Sequence, residues 1–165
     1  MKSFIVASRP PSYLSLTGKQ WEEKLQRAKE MASPCMLCSR RCKALRYQKS
    51  EGPILGVCKT ADKAIVSSVG PHFGEEPPLV GTGGSGTIFF SHCNLKCIFC
   101  QNYDLAHLGE GREVSDEELS GMMLEVQDMG CHNVNLVSPT HVVPNILVAV
   151  KLAAEQGLKI PLVYN

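Results

Sequence analysis

The sequence predicts an α/β protein: a small cysteine-rich N-terminal region followed by the first strands and helices of a parallel sheet. Two observations carry this. From residue 86 onward, short β-branched runs alternate with helical periodicities in the order β-α-β-α-β, the pattern of parallel strands joined by right-handed crossover helices. Seven of the eight cysteines fall in two close-spaced groups, Cys35, Cys38, Cys42 and Cys58, then Cys93, Cys97 and Cys100. The chain accordingly divides into residues 1–80, an N-terminal helix with a cysteine-rich metal-binding region, and residues 81–165, a βαβαβ unit.

Composition narrows the function classes. The 165 residues carry a formal net charge of +1, and no basic stripe interleaved with aromatics is visible, so nucleic-acid binding has no positive support. The N-terminus has four consecutive apolar residues, Phe4 to Ala7, before Ser8 and Arg9, too few for a secretory core or a membrane span. The expectation is a cytoplasmic protein with no membrane partner. In a reducing compartment, clustered cysteines read as metal ligands or reactive thiols rather than disulfides.

Taken in order, residues 1–16 are rich in Pro and Ser and read as an irregular arm. Thr17 opens a capping box with Gln20, and Trp21, Leu25, Ala28 and Ala32 follow at helical spacing, with Glu22 and Glu23 assigned to the first turn and Pro34 as the stop. Lys63 to Val69 reads as a strand, Gly70-Pro71 as a turn, and Glu75-Glu76-Pro77-Pro78 as a solvated turn. Gly81, Gly83 and Gly86 match G-x-G-x-x-G literally. A dinucleotide site needs the strand before these glycines and a helix after them. Here the strand Thr87 to Phe90 comes after, so they predict a tight approach turn.

Beyond the second cysteine group, Gly109 to Arg112 reads as a turn. Ser115 and Glu118 form a capping box for a helix with the stripe Leu119, Met122, Met123, Val126 and Met129, closed by Gly130. Asn133 to Val137 is a strand, Pro144 to Gln156 a helix closed by Gly157, and Lys159 to Tyr164 a third strand. Ser138-Pro139-Thr140-His141 then leaves the second strand at the edge where the cysteine loop leaves the first. His141 has the best placement of the five histidines; a strand-end His held by a hydrogen bond is the plainer expectation. Cys131 reads as a core thiol.

The two cysteine groups differ in chemistry. C-x2-C-x3-C with Cys58 returning across a glycine-bearing loop makes four thiolates, which suit structural zinc or an iron-sulfur cluster equally. Arg40 and Arg41 beside them would offset negative charge or be solvated. Three thiolates at Cys93, Cys97 and Cys100 are one short of a zinc set, but suit a cubane cluster with one iron open to a further ligand.

C-x3-C-x2-C with Phe99 before the last cysteine, following the first strand of an α/β sheet, resembles the signature of the radical S-adenosylmethionine superfamily. The wider run from Gly84 through Asp104, the later Asn135 to His141, and the upstream cysteines resemble pyruvate formate-lyase activating enzyme-like proteins over roughly residues 35 to 165. The resemblance implies the N-terminal part of a (βα)6 partial TIM barrel, whose remaining strands this chain would lack.

It implies that Cys93, Cys97 and Cys100 ligate a [4Fe-4S] cluster and that Phe99 lies near the adenine of S-adenosylmethionine; Ser138 and Thr140, placed at the same sheet edge by chain order, are expected as further cofactor-binding positions. Reductive cleavage would yield a 5′-deoxyadenosyl radical, the electron coming from an external flavodoxin- or ferredoxin-like donor. The substrate would be a glycine on a partner protein or a small molecule. Most of the superfamily has a Gly-Gly-Glu-like segment where this chain has Ser138-Pro139-Thr140-His141. The competing expectations are a non-catalytic module in which both cysteine groups bind zinc, and a thiol redox protein.

Overall fold

The computed structural model describes residues 9–165; the reading of residues 1–8 as part of an arm lies outside them. Five strands form one sheet in the order β3-β1-β2-β4-β5, with β1 Ala64–His72, β2 Ser85–Phe90, β3 Arg112–Val114, β4 Val134–Val137 and β5 Leu162–Tyr164. The helices are α1 Gly18–Ala32, the short α2 Pro77–Val80, α3 Asp116–Asp128 and α4 Val143–Glu155. Among the described residues, no helix is long and apolar enough to cross a membrane.

The predicted parallel run is present. β2 pairs in parallel with β4 and β4 with β5, Ile88 opposite Leu136 and Leu136 opposite Tyr164. The sheet as a whole is mixed, because β1 pairs antiparallel with both β2 and β3. β1 thus belongs to the same sheet as the βαβαβ unit. It also runs through the expected Gly70-Pro71 turn as far as His72. β3 covers β1 only from Ala64 to Val66, so the later part of β1 is an edge, where a residue without an amide donor is tolerated.

Other expectations need correcting in detail. Part of the expected arm, Ser12–Ser15, is a 3-10 turn with Tyr13 buried and its hydroxyl donating to the Ile160 carbonyl at 2.7 Å. Glu22 and Glu23 lie beyond the first turn of α1, which contains no acidic residue. The Glu-Glu-Pro-Pro stretch leads into α2, with both prolines where a helix start has amides to spare. Arg112, read as the end of a turn, opens β3, and the third parallel strand is shorter than expected.

Both capping boxes form. Thr17 accepts from the Gln20 amide at 3.3 Å and Ser115 from the Glu118 amide at 3.1 Å, each with the reciprocal side-chain bond. Such a cap contributes about 1 kcal/mol. Full burial of Leu119, Met123 and Val126 on α3 contributes about 1.5–3 kcal/mol for each side chain, so packing holds the helix and the cap sets where it begins.

Strand alternation sorts the sheet faces. Ile88, Phe90, Val134 and Leu136 join α3 and α4 in the core, with Trp21 of α1 packed in beside them. By the same period of two, Ser85, Thr87, Asn133 and Asn135 share the opposite face, all buried and all polar. Ser85 donates to the Asn133 side chain at 2.7 Å, and the Asn133 amide donates to the Leu79 carbonyl of α2 at 2.8 Å.

Candidate functional site

The C-terminal ends of β2, β4 and β5 lie at one sheet edge, and the loops that leave β2 and β4 form the site. After Phe90 the chain reverses through His92, held at φ 60°, and Lys96, at φ 56°. Cys93 is buried, while Cys97 and Cys100 are half-buried. Ile98 and Phe99 form an exposed lip, at 92% and 84% exposure. Lys96 closes the loop on itself by donating to the Ala106 carbonyl. His107 does the same, its Nε2 lying 2.9 Å from the Cys97 carbonyl; a carbonyl can only accept, so this nitrogen carries the proton.

The loop after β4 meets this loop directly. His141 is 2% exposed and its Nε2 donates to the Ser91 carbonyl at 2.7 Å. Burial, then the nearby positive charges of Arg46, His92 and Lys96, lowers its pKa to about 4, against a partly compensating bond to Ser91. The ring is therefore neutral near pH 7. Ser138 sits at φ 58°, and Thr140 accepts from the Tyr164 hydroxyl at 2.8 Å, leaving its own O–H free to donate. The predicted neighbourhood of the cysteine loop and Ser138 to His141 is thus a contact between named atoms.

The first cysteine group packs against the same edge. Its backbone forms a knuckle: the Cys35 amide donates to Ala44 at 2.9 Å, and Lys43 returns a bond to Cys35 at 3.0 Å. Arg41 and Lys43 take positive φ there. Cys35 and Cys58 are buried, Cys38 half-buried and Cys42 exposed, with the Cys42 sulfur against Gly56. Burial pushes the Cys35 thiol up, and the Leu37 amide and Arg46 oppose it. Lys96 is lowered mainly by burial and by Lys59, while both Cys93 and Cys58 pull it the other way. Lys96 is therefore close to one thiol of each group, Cys93 and Cys58. A cleft of about 470 Å³ separates the two groups, lined by residues that include Cys38, Ser39, Asn94 and Thr140.

Two arginines join these loops, and sequence reasoning missed what they do. Arg40 donates from Nε to the Asn94 carbonyl at 2.5 Å and from Nη2 to the Leu95 carbonyl at 2.9 Å. Arg46 is 2% exposed; it donates to Ala61 at 2.9 Å and to the His141 carbonyl at 2.8 Å. Nothing in the local sequence marks Arg46, since a lone arginine between Leu45 and Tyr47 reads as a surface residue.

Among the described residues, no group of three or more His, Cys, Asp or Glu side chains is drawn together closely enough to hold a metal ion. The structure brings the candidate residues to one edge without closing the thiols into a cage. Buried nitrogens remain without partners beside the loop: His92 Nδ1, His141 Nδ1 and Arg46 Nη2.

No family model matches the chain, and no solved structure matches it. An uncharacterized protein of Methanocaldococcus jannaschii is 30% identical over 151 residues, an alignment that covers 86% of this chain and 41% of that protein. The chain therefore spans about two fifths of the length of this curated relative.

Proposed function

We propose that this chain is the cluster-binding part of a radical S-adenosylmethionine protein resembling pyruvate formate-lyase activating enzymes, built as the opening strands of a partial barrel. The observation that supports it best is where Cys93, Cys97 and Cys100 lie: on the loop leaving β2, the first strand of the parallel run, beside the loop leaving β4. Chemistry gathers at this end of a parallel sheet.

The donor set fits a [4Fe-4S] cluster. Its three thiols are soft ligands, and unpartnered buried imidazole nitrogens adjoin the loop. Support thus comes from donor chemistry and placement, not from a preformed cage. When bound, a cluster with one open iron supplies the electron that cleaves S-adenosylmethionine to a 5′-deoxyadenosyl radical.

The chain's own residues would bind and orient. Cys93, Cys97 and Cys100 would hold three irons. Phe99, at the exposed lip, would offer its ring to the adenine. Ser138 and Thr140 would hydrogen-bond the cofactor at the end of β4, Thr140 with its donor freed by Tyr164. An external flavodoxin- or ferredoxin-like protein would deliver the electron, and the substrate would be a glycine on a protein partner or a small molecule.

Cys35, Cys38, Cys42 and Cys58 would form a second site for zinc or an iron-sulfur cluster. The paired backbone of Cys35, Lys43 and Ala44 favours a compact metal knuckle there, and it also supports the second reading, a zinc-stabilised binding module.

Anaerobic reconstitution with iron and sulfide separates the two. The expected product is a brown protein whose cluster spectrum changes on addition of S-adenosylmethionine, a response that Cys97→Ala abolishes. A colourless protein holding only zinc would overturn the radical reading in favour of the module.

A further inference from the structure

We infer that Arg40, on the first cysteine group, is a positioning residue for Cys93 on the second, acting by fixing the peptide whose N–H points at the Cys93 sulfur. The geometry is a relay through one peptide unit. The Asn94 carbonyl accepts from Arg40 Nε at 2.5 Å. The amide on the other side of that peptide bond, that of Leu95, donates to Cys93 Sγ at 3.4 Å. Because the peptide is planar with C=O and N–H opposed, holding the carbonyl on Arg40 aims the N–H at the sulfur. Charge-assisted bonding to the carbonyl also polarises that N–H.

Arg40 does not act as a point charge. Its fork takes two successive carbonyls, Asn94 from Nε and Leu95 from Nη2, so the Asn94–Leu95 and Leu95–Lys96 peptides are held in a fixed orientation. Lysine, with a single ammonium, cannot reproduce this. The other flank of Cys93 is held independently, since the Ser91 carbonyl accepts from His141, whose own carbonyl accepts from buried Arg46. The first cysteine group is therefore coupled to the second through Arg40, whichever metal either one takes. The inference rests on the cluster reading in its electronic consequence alone: N–H···S bonds to a ligating thiolate raise the reduction potential of a cluster.

The test uses the full chain. In the reduced, metal-free protein, Arg40→Gln is expected to speed amide exchange at Leu95 by about tenfold or more, with exchange in the α3 core unchanged. Arg40→Lys should fall between the two, and Arg41→Gln, which removes a neighbouring charge without touching the fork, should match the wild type. After reconstitution with iron and sulfide, the potential of the Arg40→Gln cluster should lie below that of both the wild type and Arg41→Gln. Wild-type exchange at Leu95 in Arg40→Gln would overturn the inference. So would a rise spread equally over the α3 core, which would make Arg40 merely structural. The exchange contrast decides the inference even where no cluster assembles, and that failure would count against the proposed function alone.

Discussion

At the scale of single residues, the site depends on buried nitrogen atoms as much as on sulfur. His141 was legible as a strand-end histidine held by a hydrogen bond, and its bond to Ser91 agrees. Arg46 was not, because burial of a guanidinium is decided by carbonyls distant in sequence, those of Ala61 and His141. The neutral His141 predicts an acid limb of stability. Its pKa is lowered to about 4 in the folded protein, against an ordinary value of about 6.5. The unfolded chain therefore binds the proton first. The stability tied to the neutral ring is fully present above about pH 6.5 and is lost as pH falls through 4, amounting to on the order of 3 kcal/mol. His141→Gln keeps a donor for Ser91 but cannot titrate, so its urea midpoint should fall less steeply between pH 7 and pH 4. An identical slope in both proteins would refute this.

At the scale of elements, the signals that survived are local ones. Both capping boxes could be read because cap and N3 residue are neighbours in sequence. The glycines were also legible as a strand approach rather than a phosphate loop, and the structure adds the reason. A Cβ at Gly86 would lie 2.7 Å from Val126 Cβ and 2.8 Å from the Asn133 carbonyl, and one at Gly83 would lie 2.0 Å from the Gly130 carbonyl. These glycines let β2 and the turn before it approach α3 and β4 closely. Gly86→Ala should accordingly destabilise the protein by about 1–3 kcal/mol, measured by urea unfolding; wild-type stability would mean that α3 can move aside at no cost. β3 was not legible, because Arg-Glu-Val has no alternating apolar face and becomes a strand only by pairing with β1. The turn at Asp104–Leu108 likewise had no periodic signal.

At the scale of the whole molecule, contacts distant in sequence set the boundaries. Tyr13 lies in a stretch that reads as an arm, yet its hydroxyl reaches Ile160 across the molecule, and burial raises its pKa to about 12. Tyr13→Phe should lower stability by about 1 kcal/mol at neutral pH. It should also remove an alkaline limb: the contribution of the protonated phenol is present below about pH 10 and lost as pH rises through 12. Equal urea midpoints for variant and wild type at pH 7, and equal losses on going to high pH, would show that the arm is not anchored through this bond.

By itself the sequence determined the three parallel strands, their two crossover helices, the caps, and the placing of Cys93 to Cys100 and Ser138 to His141 at one edge. All of these follow from short-range periodicity and chain order. Only the tertiary structure decided that β1 and β3 extend the sheet antiparallel, that Arg46 is buried, and that Arg40 ties the first cysteine group to the peptide facing Cys93. Strand partners and hydrogen-bond acceptors are chosen by proximity in space, and no local pattern of residues encodes that.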